Sequence, residues 1–162
     1  MRFDLSDDQR RLREAVSDFL TNKCPIPVTL RAHEETSVDH ILWKGLMDLG
    51  LGGVGAPEAH GGMGLKMLDV AVIAEVVGRF AAPGRFFGHL LAIQALAMSE
   101  DDALKADWLP KLISGDMLAT IALGEGEEAW LAQEWTVDGQ GGLKGTKYFV
   151  PNADEAGIIL VG

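Results

Sequence analysis

From Ser6 to Gly115 the apolar residues of this chain recur every three or four positions, and beyond Gly115 they run together or alternate. A period near 3.6 puts one apolar stripe on a helix, whereas a period of two puts alternate residues on one face of a strand. The change predicts an α+β architecture: an α-helical bundle over residues 1–115, then the first strands of an incomplete antiparallel β-barrel over 116–162. No Ser/Pro-rich linker separates the two parts. With 162 residues, 48% of them hydrophobic, the chain is long enough to bury a core.

The first helix is expected from Ser6, where Gln9 completes an S-x-x-Q capping box and Leu12, Ala15, Val16, Phe19 and Leu20 share one face. Pro25-Ile26-Pro27 breaks it, with a short helical turn expected through Leu30. Asp39 is placed to cap the next helix, which carries Leu42, Trp43, Leu46 and Leu49 and stops at Gly50. Seven glycines lie between Gly50 and Gly64, a density that predicts an ordered loop with positive φ angles. Val70, Ile73, Ala74 and Val77 mark a further helix from Leu68 to Ala81. Phe86 to Met98 is apolar on nearly every face, so that helix is expected at the centre. Asp101 then opens a surface helix with Leu104, Trp108 and Leu109, which ends at Gly115.

Beyond Gly115, three segments predict antiparallel strands: Leu118–Leu123, Trp130–Val137 and Leu143–Val150, with a Gly-rich turn from Asp138 to Gly142. Ile158 to Val161 begins another strand. So few strands cannot close a barrel, and an open edge favours pairing with a second chain.

A formal charge of −10 without a Lys/Arg run argues against a nucleic-acid surface. The start carries acids among its bases, with no apolar h-region and no stretch near the roughly 20 residues of a membrane span, so a soluble, cytoplasmic chain is expected. Cys24 is the one cysteine, and packing accounts for it better than a reactive thiol. His33, His40, His60 and His89 lack metal-ligand spacing, so no metal is expected. Gly50-Leu51-Gly52-Gly53 follows no strand and fits no phosphate-binding pattern; loop geometry explains it. Glu125, Glu127 and Glu128 suit a solvated loop better than acid–base chemistry. The mixed charges on the first helix's polar face favour core packing over membrane contact.

Several segments, taken in order, resemble the acyl-CoA dehydrogenase family. The chain opens with F-x-L-S-x-x-Q (Phe3, Leu5, Ser6, Gln9), continues with L-G-L-G-G-V (Leu49 to Val54), and then has P-E-x-x-G-G-x-G-L from Pro57 to Leu65. E-x-x-G-R (Glu75, Gly78, Arg79) and W-L-P-K-L-x-S-G (Trp108 to Gly115) follow. Leu143 to Ala156, L-K-G-T-K-Y-F-V-P-N-A-x-x-A, is similar to the family's flavin-stacking segment.

The resemblance implies an FAD-dependent oxidation of an acyl-CoA thioester to the trans-2-enoyl-CoA. In such enzymes a glutamate removes the α-proton, the β-hydrogen leaves as hydride to the flavin, and hydrogen bonds to the thioester carbonyl stabilise the enolate-like charge. The family's base lies in a C-terminal domain, so no residue here is assigned as catalytic and this chain alone is expected to be inactive. Electron-transfer flavoprotein or a similar acceptor, and a homo- or hetero-oligomer, are further implied partners. By position, the resemblance assigns flavin contacts to Ile121, Leu123, Gly124, Phe149, Val150 and Pro151. Core packing is the competing reading for Ile121 and Phe149.

Three departures bear on that assignment. Gly124 lacks a hydroxyl, Glu127-Glu128-Ala129-Trp130 stands where a small turn is usual, and Pro151 replaces a threonine and has no N–H. They leave open a second role, as part of a non-catalytic or half-site partner subunit of a heteromeric dehydrogenase acting on bulky, steroid-like acyl-CoAs. Phe86, Phe87 and His89 are placed either to line the acyl cavity or, as is usual for a buried helix, to pack the core.

Overall fold

The computed structural model describes residues 4–34, 40–125 and 145–162. Helix α1 spans Asp7–Lys23, and its capping box forms as expected: Gln9 N–H donates to Ser6 Oγ (3.1 Å) and Ser6 N–H donates to Gln9 Oε1 (2.9 Å). Gln9 Nε2 also donates to Asp69 Oδ1 (2.9 Å), so the cap ties the start of α1 to the start of helix α4, Met67–Arg79. Val16 and Leu20 are fully buried, Leu12 and Phe19 partly so, and Ala15 is exposed at the stripe's edge.

After the proline break, α2 runs Ile26–Glu34, longer than the single turn expected. Pro27 falls at its second residue, where a missing N–H costs the helix nothing. Cys24 is buried with Sγ 3.2 Å from Thr29 Oγ1, a packing role. Helix α3 spans His40–Asp48; its expected cap, Asp39, lies outside the described residues. Gly50, at φ 79°, turns the chain out of α3. The Gly-rich loop folds back on itself through Met63 N–H to Gly53 O (2.7 Å) and Leu65 N–H to Val54 O (2.9 Å).

Helix α5, Phe86–Ala97, lies between two apolar clusters. Phe86 and Leu90 join the larger one, with Val16, Leu20, Leu42, Leu46, Ile73 and Val77 from α1, α3 and α4. Ala92, Ile93 and Leu96 join the smaller, with Leu109 and Leu112 of helix α6 (Asp102–Ile113) and with Ala119. The helix is central but not covered all round: Phe87, Leu91 and Met98 form an exposed stripe at i, i+4 and i+11. Asp101 caps α6 by accepting from Leu104 N–H (2.9 Å), and Gly115, at φ 77°, ends it.

The sheet departs from expectation. Strand β1, Ala119–Ala122, pairs with β2, Ile158–Val161, in parallel, with Ala119 opposite Ile158 and Ala122 opposite Val161. The antiparallel barrel start is therefore not what these strands form. The cause lies in two chain reversals. Segment 145–150 returns past the end of β1, meeting the chain two residues beyond it in an isolated antiparallel bridge, Gly124 to Tyr148, and the turn at 151–155 then reverses the chain again. Two reversals restore the original direction. Segment 145–150 is otherwise not a strand. The expected strand at Trp130–Val137, the turn at Asp138–Gly142, and Leu143 and Lys144 lie outside the described residues.

Candidate functional site

The bundle and the sheet meet along the start of α5. Gly88 is buried there, and a Cβ on it would lie 2.8 Å from Thr120 Oγ1 and 3.2 Å from Pro151 Cβ. Glycine thus admits both β1 and the 151–155 turn onto the helix. Next to it, His89 accepts from Ala119 N–H at Nδ1 (3.0 Å), while Nε2 lies 2.8 Å from Leu112 O. An acceptor at Nδ1 carries no proton, so the ring is neutral with its hydrogen on Nε2, donated to Leu112. Burial pushes the imidazole down to about 4 from its ordinary 6.5. Trp43 of α3 meets it edge-on (centroids 4.9 Å apart, rings at 79°) and donates its indole N–H to Gly115 O at 3.3 Å. Arg85, the residue before α5, forms an ion pair with Glu155 of the turn.

This joint positions the sequence-assigned residues. Ile121, half-buried, pairs with Leu160 within the sheet. Leu123 is half-buried and Gly124 buried, and Gly124 O accepts from Tyr148 N–H at 2.9 Å. That bridge sets Leu123 and Gly124 beside the segment holding Phe149, Val150 and Pro151. Lys147 ties the two together again, donating to Leu123 O (3.2 Å) and to Glu125 Oε1 (2.9 Å).

Phe149 is 73% exposed and sits at φ 54°. For a bulky side chain this is a strained conformation, of the kind found where a site is built. Such exposure is not core packing. Val150 is half-buried, and Pro151, mostly exposed, rests against Gly88. Glu125 is half-buried and ion-paired, not on a solvated loop; Glu127, Glu128 and Trp130 lie outside the described residues.

Phe86 and His89 are core residues, 4% and 1% exposed, whereas Phe87 faces outward. Lys147, Gly88 and the Arg85–Glu155 pair carry no signal at sequence level, because each acts on a residue more than 20 positions away. Clefts formed by described residues lie elsewhere. One of about 280 Å³ is lined by Arg13, Glu14, Asp18, Glu75 and Arg79, and one of about 600 Å³ by Phe19, Lys23, Ile41, Lys44 and Leu49. Neither touches the assigned residues. Among the described residues no group of three His, Cys, Asp or Glu side chains could hold a metal, and no helix is long and apolar enough to cross a membrane.

The profile of the acyl-CoA dehydrogenase N-terminal domain matches residues 6–116. Mitochondrial isovaleryl-CoA dehydrogenase of Pongo abelii is 30% identical over 167 residues, covering 97% of this chain and 39% of the relative. The chain thus spans about two fifths of that protein's length. Among solved structures, a variant of the steroid ACAD Tcur3481-Tcur3483 superposes with a TM-score of 0.81 at 29% identity, over 96% of this chain and 44% of that one. The FAD complex of PigA, at 23% identity, has the same fold: TM-score 0.81, over 99% of this chain and 44% of that one.

Proposed function

The chain belongs to the acyl-CoA dehydrogenase family, and from that membership we propose that it is the N-terminal part of an FAD-dependent enzyme that oxidises an acyl-CoA thioester to its trans-2-enoyl-CoA. We divide it into the family's N-terminal helical domain, 1–115, and part of the middle β-domain, 116–162. The observation that carries the cofactor reading is the adjacency of Leu123–Gly124 and Phe149 across the Gly124–Tyr148 bridge.

The residues present fit the planar, apolar part of a flavin. Phe149 offers an exposed ring, Gly124 has no Cβ to hold a ring system away, and Ile121 and Leu123 add apolar surface. Ile121, Leu123, Gly124, Phe149, Val150 and Pro151 are accordingly proposed to hold FAD. Bound FAD supplies the hydride acceptor. What these residues contribute is position: the Gly124–Tyr148 bridge and Lys147 fix the segment spacing, and the packing of Pro151 on Gly88 fixes its depth against the bundle. The catalytic base is proposed to lie outside these residues, with electron-transfer flavoprotein or a similar acceptor reoxidising the cofactor. The protein is proposed to be cytoplasmic and oligomeric.

Addition of short, branched and steroid-like acyl-CoAs to the purified protein tests the reading. Bleaching of a flavin band with formation of the 2-enoyl product is expected from one class, while a flavin that no acyl-CoA reduces would overturn it. The 162-residue chain alone is expected to turn over none of them.

One observation favours a second reading. Gly124 and Pro151 each lack a hydrogen-bond donor that the family pattern places there, and a similar solved structure is a two-protein steroid ACAD. A half-site partner subunit, with its flavin contacts completed by another chain, accounts for both.

A further inference from the structure

His89 makes two hydrogen bonds that only a neutral ring makes together. Nδ1 accepts from Ala119 at the head of β1 and Nε2 donates to Leu112 near the end of α6, while the ring is 1% exposed and flanked by Trp43. The larger apolar cluster contains no residue of β1 or β2, whereas Ala119 belongs to the smaller one. Ile158 and Leu160 of β2 also pack against that smaller cluster, so the sheet is held to α5 and α6 by it together with the His89 bond, and apart from the core of α1, α3 and α4.

We propose that His89 is an acid-operated latch: a proton arriving at Nδ1 breaks the bond from Ala119 N–H and frees β1, with β2 paired to it, from α5, while the bundle stays folded.

The geometry leaves a protonated ring no alternative partner. An imidazolium carries hydrogens on both nitrogens, so Nδ1–H would face Ala119 N–H across 3.0 Å. It would also place a charge in apolar surroundings, which is costly unless it is paired. No charged group among the described residues of the packed elements offers that pairing. Lys44 and Asp48 of α3 pair with each other, as do Lys105 and Asp102 of α6, and Arg85 beside α5 pairs with Glu155. Lys111 of α6 is exposed over the Trp108 ring, Asp107 is exposed, and Asp116 is exposed beside Ser114. Strands β1 and β2 carry no titratable residue. Opening the joint gives the ring water and its ordinary affinity for protons. With 6.5 in the open state and about 4 in the closed one, opening is favoured about 30-fold more at pH 5 than above pH 7. The latch works on the chain's own hydrogen bonds, so its failure would leave the flavin reading untouched.

Hydrogen exchange read by mass spectrometry on the protein at pH 7 and pH 5, corrected for the chemical pH dependence of exchange, tests it. Peptides covering 118–122 and 158–162 are expected to exchange about 20-fold faster at pH 5 than at pH 7, with those of α1 and α3 unchanged. His89→Gln, whose amide oxygen can accept from Ala119 and whose amide nitrogen can donate to Leu112, is expected to abolish the difference. Equal protection of β1 at both pH values, simultaneous loss across the bundle, or retained pH dependence in His89→Gln would each overturn the proposal. Should that variant not fold, ¹⁵N-histidine NMR of the unaltered protein decides. Protonation of His89 is expected to coincide with β1 opening, and protonation without opening would contradict it.

Discussion

The helical bundle and the two-stranded sheet are held by different balances of apolar burial and directed contact. In the bundle, position follows from side chains with no exposed surface, such as Val16, Leu20, Leu51 and Ile93. In the sheet, Ala119 and Ala122 are buried and Ile158 and Leu160 pack on the smaller cluster, but β2 leaves Ile159 and Val161 43% and 50% exposed, and discrete polar and steric devices add to the packing: His89 on Ala119, Lys147 on Leu123, and the absence of a Cβ at Gly88. Apolar burial is tolerant of small adjustments and contributes a large total, whereas a single directed hydrogen bond contributes little but fixes register. The proposed cofactor face sits on the part held the second way.

The same truncation in the two regions probes this difference. Leu20→Ala is expected to cost about 4 kcal/mol, because it empties a site from which water is already excluded. Ile159→Ala is expected to cost roughly 1 kcal/mol or less, since its side chain already meets solvent. Denaturant midpoints at constant m-value measure both. Similar losses would mean that the sheet is as deeply packed as the bundle.

Acid is expected to come next in size. The His89 imidazole is depressed in the folded protein, so its neutral state is favoured there. Stability is intact above about 6.5 and is lost as pH falls toward about 4, by roughly 3 kcal/mol at most. Denaturation at pH 7, 6, 5 and 4 checks the window, and a flat profile over this range would remove His89 from the joint.

Gly115→Ala is expected to cost about 2 kcal/mol, combining a positive φ with a Cβ that would meet Met47 Cγ at 2.3 Å. A small effect, comparable to that of Ile159→Ala, is expected of Lys147→Met. It separates the Leu123 carbonyl and the Glu125 carboxylate from their shared donor in a site still 13% and 21% exposed, a loss of about 1 kcal/mol once solvent screening is counted. If it also weakens flavin retention, the Lys147 tether sets the cofactor face.

The sequence made the bundle legible because its signals are local. Ser6 and Gln9 are three residues apart, Asp101 and Leu104 likewise, and Gly50 and Gly115 each end the helix immediately before them. Helix α2 is longer than its sequence predicts because Pro27 reads as a breaker, whereas at the second helical position its missing N–H costs nothing. The exposed stripe of α5 was hidden for the opposite reason: an apolar residue does not declare whether a neighbour covers it. Strand direction is not legible, because alternation marks a strand but not its partner, and the partner of β1 lies more than 30 residues away. Within the candidate site, Phe149 and Gly124 were found through family resemblance alone. Their adjacency depends on the bridge to Tyr148, and the roles of Gly88 and His89 depend on what β1 places opposite them.

The flavin content of the protein, purified alone and then with any protein encoded beside it, tests the central claim most directly. The account predicts FAD, seen as a visible flavin band, in at least one of the two preparations, and reduced retention in Phe149→Ala. Absence of FAD from both preparations, under conditions where the helices are folded, would contradict it.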